Sequence, residues 1–244
     1  MESLEQKWRR RFENFGNGYE EDYLISGWSE QGLRQRLELL KANLSSLPDA
    51  NFTNVLDLGC GPGTYVRYLC GKHQRVVGLD YSIPSLLKAL GKDEKKNGIY
   101  IGGDAYALPF SENSFDLILS IGTLQSMERP ERVLAEVKRV LRPNGILILE
   151  YLNHFDVVNF SLKLFSMIMG RPPRVRSYSW SEVDALLKNN EIQPFRRKGI
   201  FLLPRKMAYL MFVIESKPIN WILNQLAFFS AHAFLLFGKN IKSK

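Results

Sequence analysis

The 244-residue chain holds only two cysteines and three histidines. Two cysteines supply neither a disulfide framework nor a zinc-ligand pattern. Cys60 falls in a glycine turn and Cys70 in the helix predicted after it, where small buried thiols are the plainer reading. Three histidines leave a thin choice of general base. Long apolar runs are missing too. Met207 to Ile214 is eight apolar residues before Glu215, Lys217 and Pro218 interrupt, and the twelve from Leu226 to Phe237 are broken by Ser230 and His232. A membrane span needs roughly 20. Met1 to Arg11 is charged, with no apolar core or small-residue cleavage site, so a reducing, cytosolic setting is expected. No internal repeat or low-complexity tract occurs.

What remains is enough for a packed core: 45% of residues are hydrophobic and 12% aromatic, which excludes a disordered chain. The length suits one domain, or one domain with an elaborated cap. Charge is uneven. Residues 1–150 carry 19 Lys/Arg against 20 Asp/Glu, whereas residues 151–244 carry 14 against 5, so the net charge of +8 belongs to the last part of the chain. Such an asymmetry speaks to association rather than to fold.

Between Asn54 and Tyr151 short apolar runs alternate with amphipathic segments. NVLDLG, RVVGLD, IYIGGD, FDLILS and GILILEY each read as a strand of about five residues. Their near-continuous apolarity suits strands covered on both faces, as in a parallel sheet. The intervening PERVLAEVKRVLR sets Val133, Leu134, Val137, Val140 and Leu141 on one helical face. Pro130 suits its first turn, and Pro143-Asn144-Gly145 stops it and turns into the next strand. Repetition of this kind predicts a doubly wound α/β sheet.

Outside that span, Leu33, Leu37, Leu40 and Leu44 share one side of a helix that packs on the sheet or covers its pocket. Asn153 to Gly170 reads as an apolar helix and Arg171-Pro-Pro-Arg-Val-Arg as a basic linker. Ser179 and Glu182 form a capping-box pattern opening a helix to Asn189. Ile192 to Leu203 reads as a strand, Lys206 to about Phe229 as a long apolar helix, and Ala231 to Gly238 as a last strand.

The stretch VLDLGCGPG (55–63) runs a buried strand into a glycine turn. A dinucleotide fingerprint wants a third glycine where Thr64 stands, and a phosphate-binding P-loop wants a lysine that is not there. The actual pattern is Asp57, Gly59, Gly61 and Gly63, with an acid inside the strand end. An acid there repels a pyrophosphate and suits an ammonium, while free N–H groups of the next helix suit a carboxylate. A ligand with an ammonium, a carboxylate and a nucleoside but no phosphate is S-adenosyl-L-methionine.

Four stretches then resemble the class I S-adenosylmethionine-dependent methyltransferases, especially the methyltransferase type 11 group that includes the ubiquinone/menaquinone-biosynthesis enzymes. They are LDLGCGPG (56–63), VVGLDYS (76–82), GDAYALPFSENSFDLILS (103–120) and LAEVKRVLRPNGILIL (134–149), in the family's order and spacing. The resemblance implies a Rossmann-like, mostly parallel seven-stranded sheet with its last strand antiparallel, N-terminal helices and a C-terminal helical cap insertion. It divides the chain into an N-terminal helical lid (1–50), a cofactor-binding core (51–152), and a substrate cap with the final strands (153–244).

The family's roles fall on matching residues. Asp57, Gly59, Cys60 and Gly61 would surround the methionine portion, Asp80 would accept the ribose hydroxyls, and Tyr81 would lie against the adenine. Asp104 and Ala105 would recognise the adenine edge, Ser120 would lie beside the methionine end, and Tyr19 with Tyr23 would fold over the cofactor. For each acid the alternative is a capping or turn carboxylate, and for the tyrosines edge packing. The family often has a histidine pair after the fourth strand, where Leu124-Gln125-Ser126-Met127 stands here. His154, just past the fifth strand, is the candidate base, with a loop or packing role as the alternative; His73, after a helix end, reads as a surface cap and His232 as structural.

Methyl transfer needs chiefly an in-line nucleophile, so the expected activity is O-, N- or C-methylation of a small acceptor, releasing S-adenosyl-L-homocysteine. No resident metal is expected. The basic residues 151–244 interleave with bulky apolar groups, which suits an amphiphilic or anionic metabolite, or peripheral contact with an anionic membrane, better than a nucleic-acid track. The alternatives are a non-catalytic cofactor-binding partner subunit and an RNA methyltransferase.

Overall fold

In the computed structural model the five apolar runs are strands β1 (Asn54–Leu58), β2 (Arg75–Asp80), β3 (Gly98–Gly102), β4 (Phe115–Ser120) and β5 (Leu141–Leu152). Two more, β6 (Ile192–Ile200) and β7 (Ala233–Asn240), complete one sheet of order β3-β2-β1-β4-β5-β7-β6. The structure describes residues 3–47, 52–73, 75–156, 168, 170, 175–201 and 231–241. All pairings from β3 to β5 are parallel; β7 runs antiparallel to both β5 and β6. The expected seven-stranded Rossmann-like sheet with an antiparallel last strand is therefore present.

Alternate residues of the central strands enter opposite cores. Leu56 and Leu58 of β1 join Val133, Leu134 and Val137 from one side, whereas Val55 joins Leu40, Leu44, Val66 and Leu69 from the other. A strand buried on both faces cannot show polar alternation, which is why these runs read as solid apolar blocks.

The helices are α1 (Leu4–Gly18), α2 (Asp22–Ile25), α3 (Glu30–Leu44), α4 (Thr64–Cys70), α5 (Ile83–Lys92), α6 (Pro130–Val140) and α7 (Trp180–Lys188). A capping box at Ser3 and Gln6 starts α1, and Ser29 caps α3 through the Gly32 N–H. Ser179 and Glu182 form the expected box at α7, which ends on Asn189 as expected. In α3, Leu40 and Leu44 are buried, and Leu33 and Leu37 pack against the same core.

Several boundaries differ from the sequence reading: β6 ends at Ile200, and β7 runs Ala233–Asn240 rather than Ala231 to Gly238. The turn expected at Pro143-Asn144-Gly145 is instead a bulge inside β5. Leu141 already pairs with Phe115, and pairing resumes with Ile146 opposite Leu117. Asn144 takes φ +64°, which lets the extra residues loop out without ending the ladder. Most of the two apolar helices expected at Asn153–Gly170 and Lys206–Phe229, and of the basic linker between them, lies outside the described residues. Among the described residues no helix is long and apolar enough to cross a membrane.

Candidate functional site

β1 lies between β2 and β4, so the chain winds one way toward β3 and the other way toward β5. Connections that part in this manner leave a crevice at the carboxyl ends of the strands. A cavity open at its mouth occupies that place. Its floor comes from the ends of β1 to β4: Gly59 to Gly61, Asp80 and Tyr81, Gly103 to Ala105, and Ile121 to Thr123.

The glycine turn is held to β2 by the Gly59 and Cys60 N–H groups, which both donate to the Leu79 carbonyl at 2.7 and 3.1 Å. Gly59 adopts φ +78° and Gly61 φ +50°, a region that favours glycine. A Cβ at Gly59 would collide with Thr123 Oγ1, so this glycine lets β4's end close on the turn. A Cβ at Gly61 would meet nothing within 4 Å. Gly61 lines the cavity, so its bare backbone leaves room for a ligand.

Three carboxyls sit around this turn in different states. Asp80 is buried; its Oδ2 accepts the Gly61 N–H and its Oδ1 the Ser82 N–H, both at 2.8 Å. Each oxygen keeps a further lone pair for a ligand hydroxyl. Burial pushes Asp80 up, against the pull of those N–H groups. Asp57 lies fully within β1, and burial, then the nearby Asp80, push its carboxyl up to about 8. Its Oδ2 is buried with no hydrogen-bond partner, an acceptor suited to a cationic or N–H-bearing group. Asp104 is different. Partial burial raises it, but the Tyr106 N–H and the Arg9 guanidinium outweigh that and hold it below its ordinary range.

The cavity roof is α1. Trp8 and Phe12, one helical turn apart with ring centres 5.2 Å from each other, line it. Arg9 between them donates to Asp104 Oδ2 at 2.7 Å. Behind the far wall, the Trp28 ring carries the Arg36 guanidinium 4.3 Å from its centre. Arg36 in turn forms a fully buried pair with Glu150 of β5 at 2.7 Å. Trp28 also lies so close to Gly122 that any side chain there would strike it. Sequence reasoning missed Trp8, Arg9, Phe12 and Trp28. The one available signal was the four-residue spacing of Trp8 and Phe12 in a capped helix.

Of the residues singled out from the sequence, Gly59, Cys60, Gly61, Asp80, Tyr81, Asp104 and Ala105 all line the cavity. Asp57 does not; it stands behind the turn, close enough to raise the Cys60 and Tyr65 groups. Ser120 is buried at the end of β4, and the lining begins one residue later at Ile121. Tyr19 is the cap residue of α1, 40% exposed, with its ring against Phe15 at 5.5 Å and outside the lining. Tyr23 is likewise outside it. His154 is also away from the cavity: its N–H donates to the Tyr178 carbonyl, and its Nδ1 lies 3.5 Å from Ser177 Oγ. Burial raises the Cys60 thiol well above its usual range, so it stays protonated. In the loop after β4, Thr123, Ser126 and Met127 face the cavity.

Residues 56–149 match the family model described as a methyltransferase domain. The chain is 34% identical over 131 residues to a demethylmenaquinone methyltransferase of Renibacterium salmoninarum, covering 54% of each chain. It is 32% identical over 153 residues to a malonyl-[acyl-carrier protein] O-methyltransferase of Salmonella typhimurium, covering 63% of this chain and 54% of that one. The chain thus spans about half the length of the curated relatives it matches. Magnesium protoporphyrin IX methyltransferase from Synechocystis, solved with bound SAH, has a similar fold, with a TM-score of 0.68 at 15% identity, covering 98% of this chain and 100% of that one. Residues 56–149 of this chain thus match a methyltransferase domain, and the chain is similar over that stretch to these methyltransferases.

Proposed function

We propose that the chain transfers a methyl group from S-adenosyl-L-methionine to a small-molecule acceptor with an apolar body, held in the cavity at the ends of β1 to β4. The observation that carries this reading is the division of that one cavity. Its side toward β2 and β3 presents Asp80, Tyr81 and Asp104, whereas Trp8, Phe12, Ile25, Trp28, Ile121 and Met127 give it apolar walls. The polar side suits a nucleoside and the apolar walls suit an acceptor.

In this reading Asp80 accepts two ribose hydroxyls on its remaining lone pairs, and Gly61 leaves its backbone clear beside the methionine portion. Asp57 stands behind the turn and takes no part in lining the cavity. When bound, S-adenosylmethionine supplies an electrophilic methyl on an activated sulfonium. Trp8, Phe12 and Trp28 line the cavity and would exclude water and orient an acceptor there. No histidine lines the cavity among the described residues, and burial keeps the Tyr65 hydroxyl protonated. The acceptor that fits such a site is already nucleophilic near neutral pH, such as a carboxylate or an acidic enol. An amphiphilic or anionic acceptor agrees with that demand and with the basic excess of residues 151–244.

The pocket assignment is tested by calorimetric titration with S-adenosylhomocysteine. Asp80→Ala removes two charge-assisted hydrogen bonds of about 1.5 kcal/mol each, so its affinity should drop by at least about a hundredfold. Affinity near wild type would refute the assignment.

A further inference from the structure

The Arg9 side chain makes two contacts at once. Its guanidinium donates to Asp104 Oδ2 at 2.7 Å, and its central carbon lies 5.1 Å from the centre of the Tyr81 ring. The other Asp104 oxygen accepts the Tyr106 N–H at 2.9 Å, so both oxygens are engaged. Tyr81 and Asp104 both line the cavity, and they are the side chains on which the family resemblance places the donor's adenine: a ring to lie against, and a carboxylate for the exocyclic amino group. A guanidinium is flat, delocalised and rich in N–H donors, and can satisfy the same pair.

We infer that the Arg9 guanidinium occupies the adenine subsite, so that guanidinium and adenine compete for it. The inference rests on the cavity reading given above. Displacement does not require α1 to leave. The Tyr81 hydroxyl donates to the Trp8 and Arg9 carbonyls at 3.1 Å, and the Tyr106 hydroxyl to Glu5 Oε2 at 2.7 Å. Further along, Glu20 pairs with Lys88, and Asp22 pairs with Arg67 and Lys92. Nor does the displaced cation lose every partner. Glu5 Oε1 already accepts from Arg9 Nη2 at 2.9 Å and from Nε at 3.2 Å. Letting go of Asp104 is then a swing of one side chain onto Glu5 under a helix that stays in place. Competition of this kind lowers the apparent affinity for the donor and makes its association salt-dependent, because a half-exposed ion pair must open first.

Stopped-flow binding of S-adenosylhomocysteine to the full chain, read by tryptophan fluorescence, to which Trp8 and Trp28 in the cavity wall contribute, tests this. Arg9→Met keeps an unbranched stem and loses the flat cation. Association should accelerate and the dissociation constant fall by about two- to tenfold, the range of one exposed ion pair plus one cation–π contact. Raising salt from about 0.01 M to about 1 M shrinks the Debye length from about 30 to about 3 Å, and should speed association with the wild type only. Adenosine should show the same gain in Arg9→Met, and methionine, which lacks the ring, none. Arg9→Gln should move in the same direction, which separates the effect from damage to the lid. Unchanged or weaker affinity in both variants, with wild-type melting temperatures, would overturn the inference alone. If the wild type binds no S-adenosylhomocysteine, or Asp80→Ala binds it equally well, the cavity reading falls and takes this inference with it.

Discussion

At Asp57, burial and then the neighbouring Asp80 carboxyl push the folded-state value up to about 8, whereas an unfolded aspartate titrates near about 4. The folded chain therefore holds this proton more tightly than the unfolded one. The resulting stability is fully present below about pH 4 and is lost as pH rises through about 8. Asp22 and Asp104, held low by their partners, act the other way at acid pH. Between about pH 5 and 9 the Asp57 effect therefore stands clear of theirs. Urea denaturation of the ligand-free protein should show a midpoint that declines across this window in the wild type and much less in Asp57→Asn. An equal decline in both would mean that Asp57 ionises freely in the fold. The glycine turn and the acids around it were legible in the sequence because they lie within short runs whose order fixes their geometry. Arg9 was not. Its partner Asp104 stands 95 positions away, and no local pattern encodes which surface arginine a folded helix will bring over a cavity.

Elements show the same division. Each strand of the core, the α6 stripe and the capped start of α7 follow from periodicity and caps that operate within a dozen residues. What anchors α3 does not. Arg36 sits on its buried face with 2% side-chain exposure and meets the fully buried Glu150 of β5, 114 positions on. Removing one member of a buried pair strands the other, at a cost of about 3–5 kcal/mol. Glu150→Gln should lower the thermal midpoint by a correspondingly large amount, measured by calorimetry. The double substitution Arg36→Met with Glu150→Leu should recover much of the loss, because no uncompensated charge remains. A single variant as stable as the wild type would show that the pair does not hold α3 to the sheet. Since Arg36 also backs Trp28, the same pair keeps one wall of the cavity in place.

At the scale of the whole molecule, the sheet order places β1 between the two directions of winding and so puts every lining strand end at one edge. That arrangement was legible from the βα repetition. The acceptor was not, because the apolar lining comes from α1, α2 and the loops after α2 and β4, whose residues also serve ordinary packing. The central claim is that this cavity moves a methyl group to a small molecule. It is tested most directly by incubating the purified chain with methyl-labelled S-adenosylmethionine and fractionated native extract, and identifying whatever gains the label. Label should appear in a low-molecular-mass product and vanish with Asp80→Ala. Label confined to RNA would contradict the claim, as would tight S-adenosylhomocysteine binding with no labelled product in any fraction, the behaviour of a cofactor-binding partner subunit.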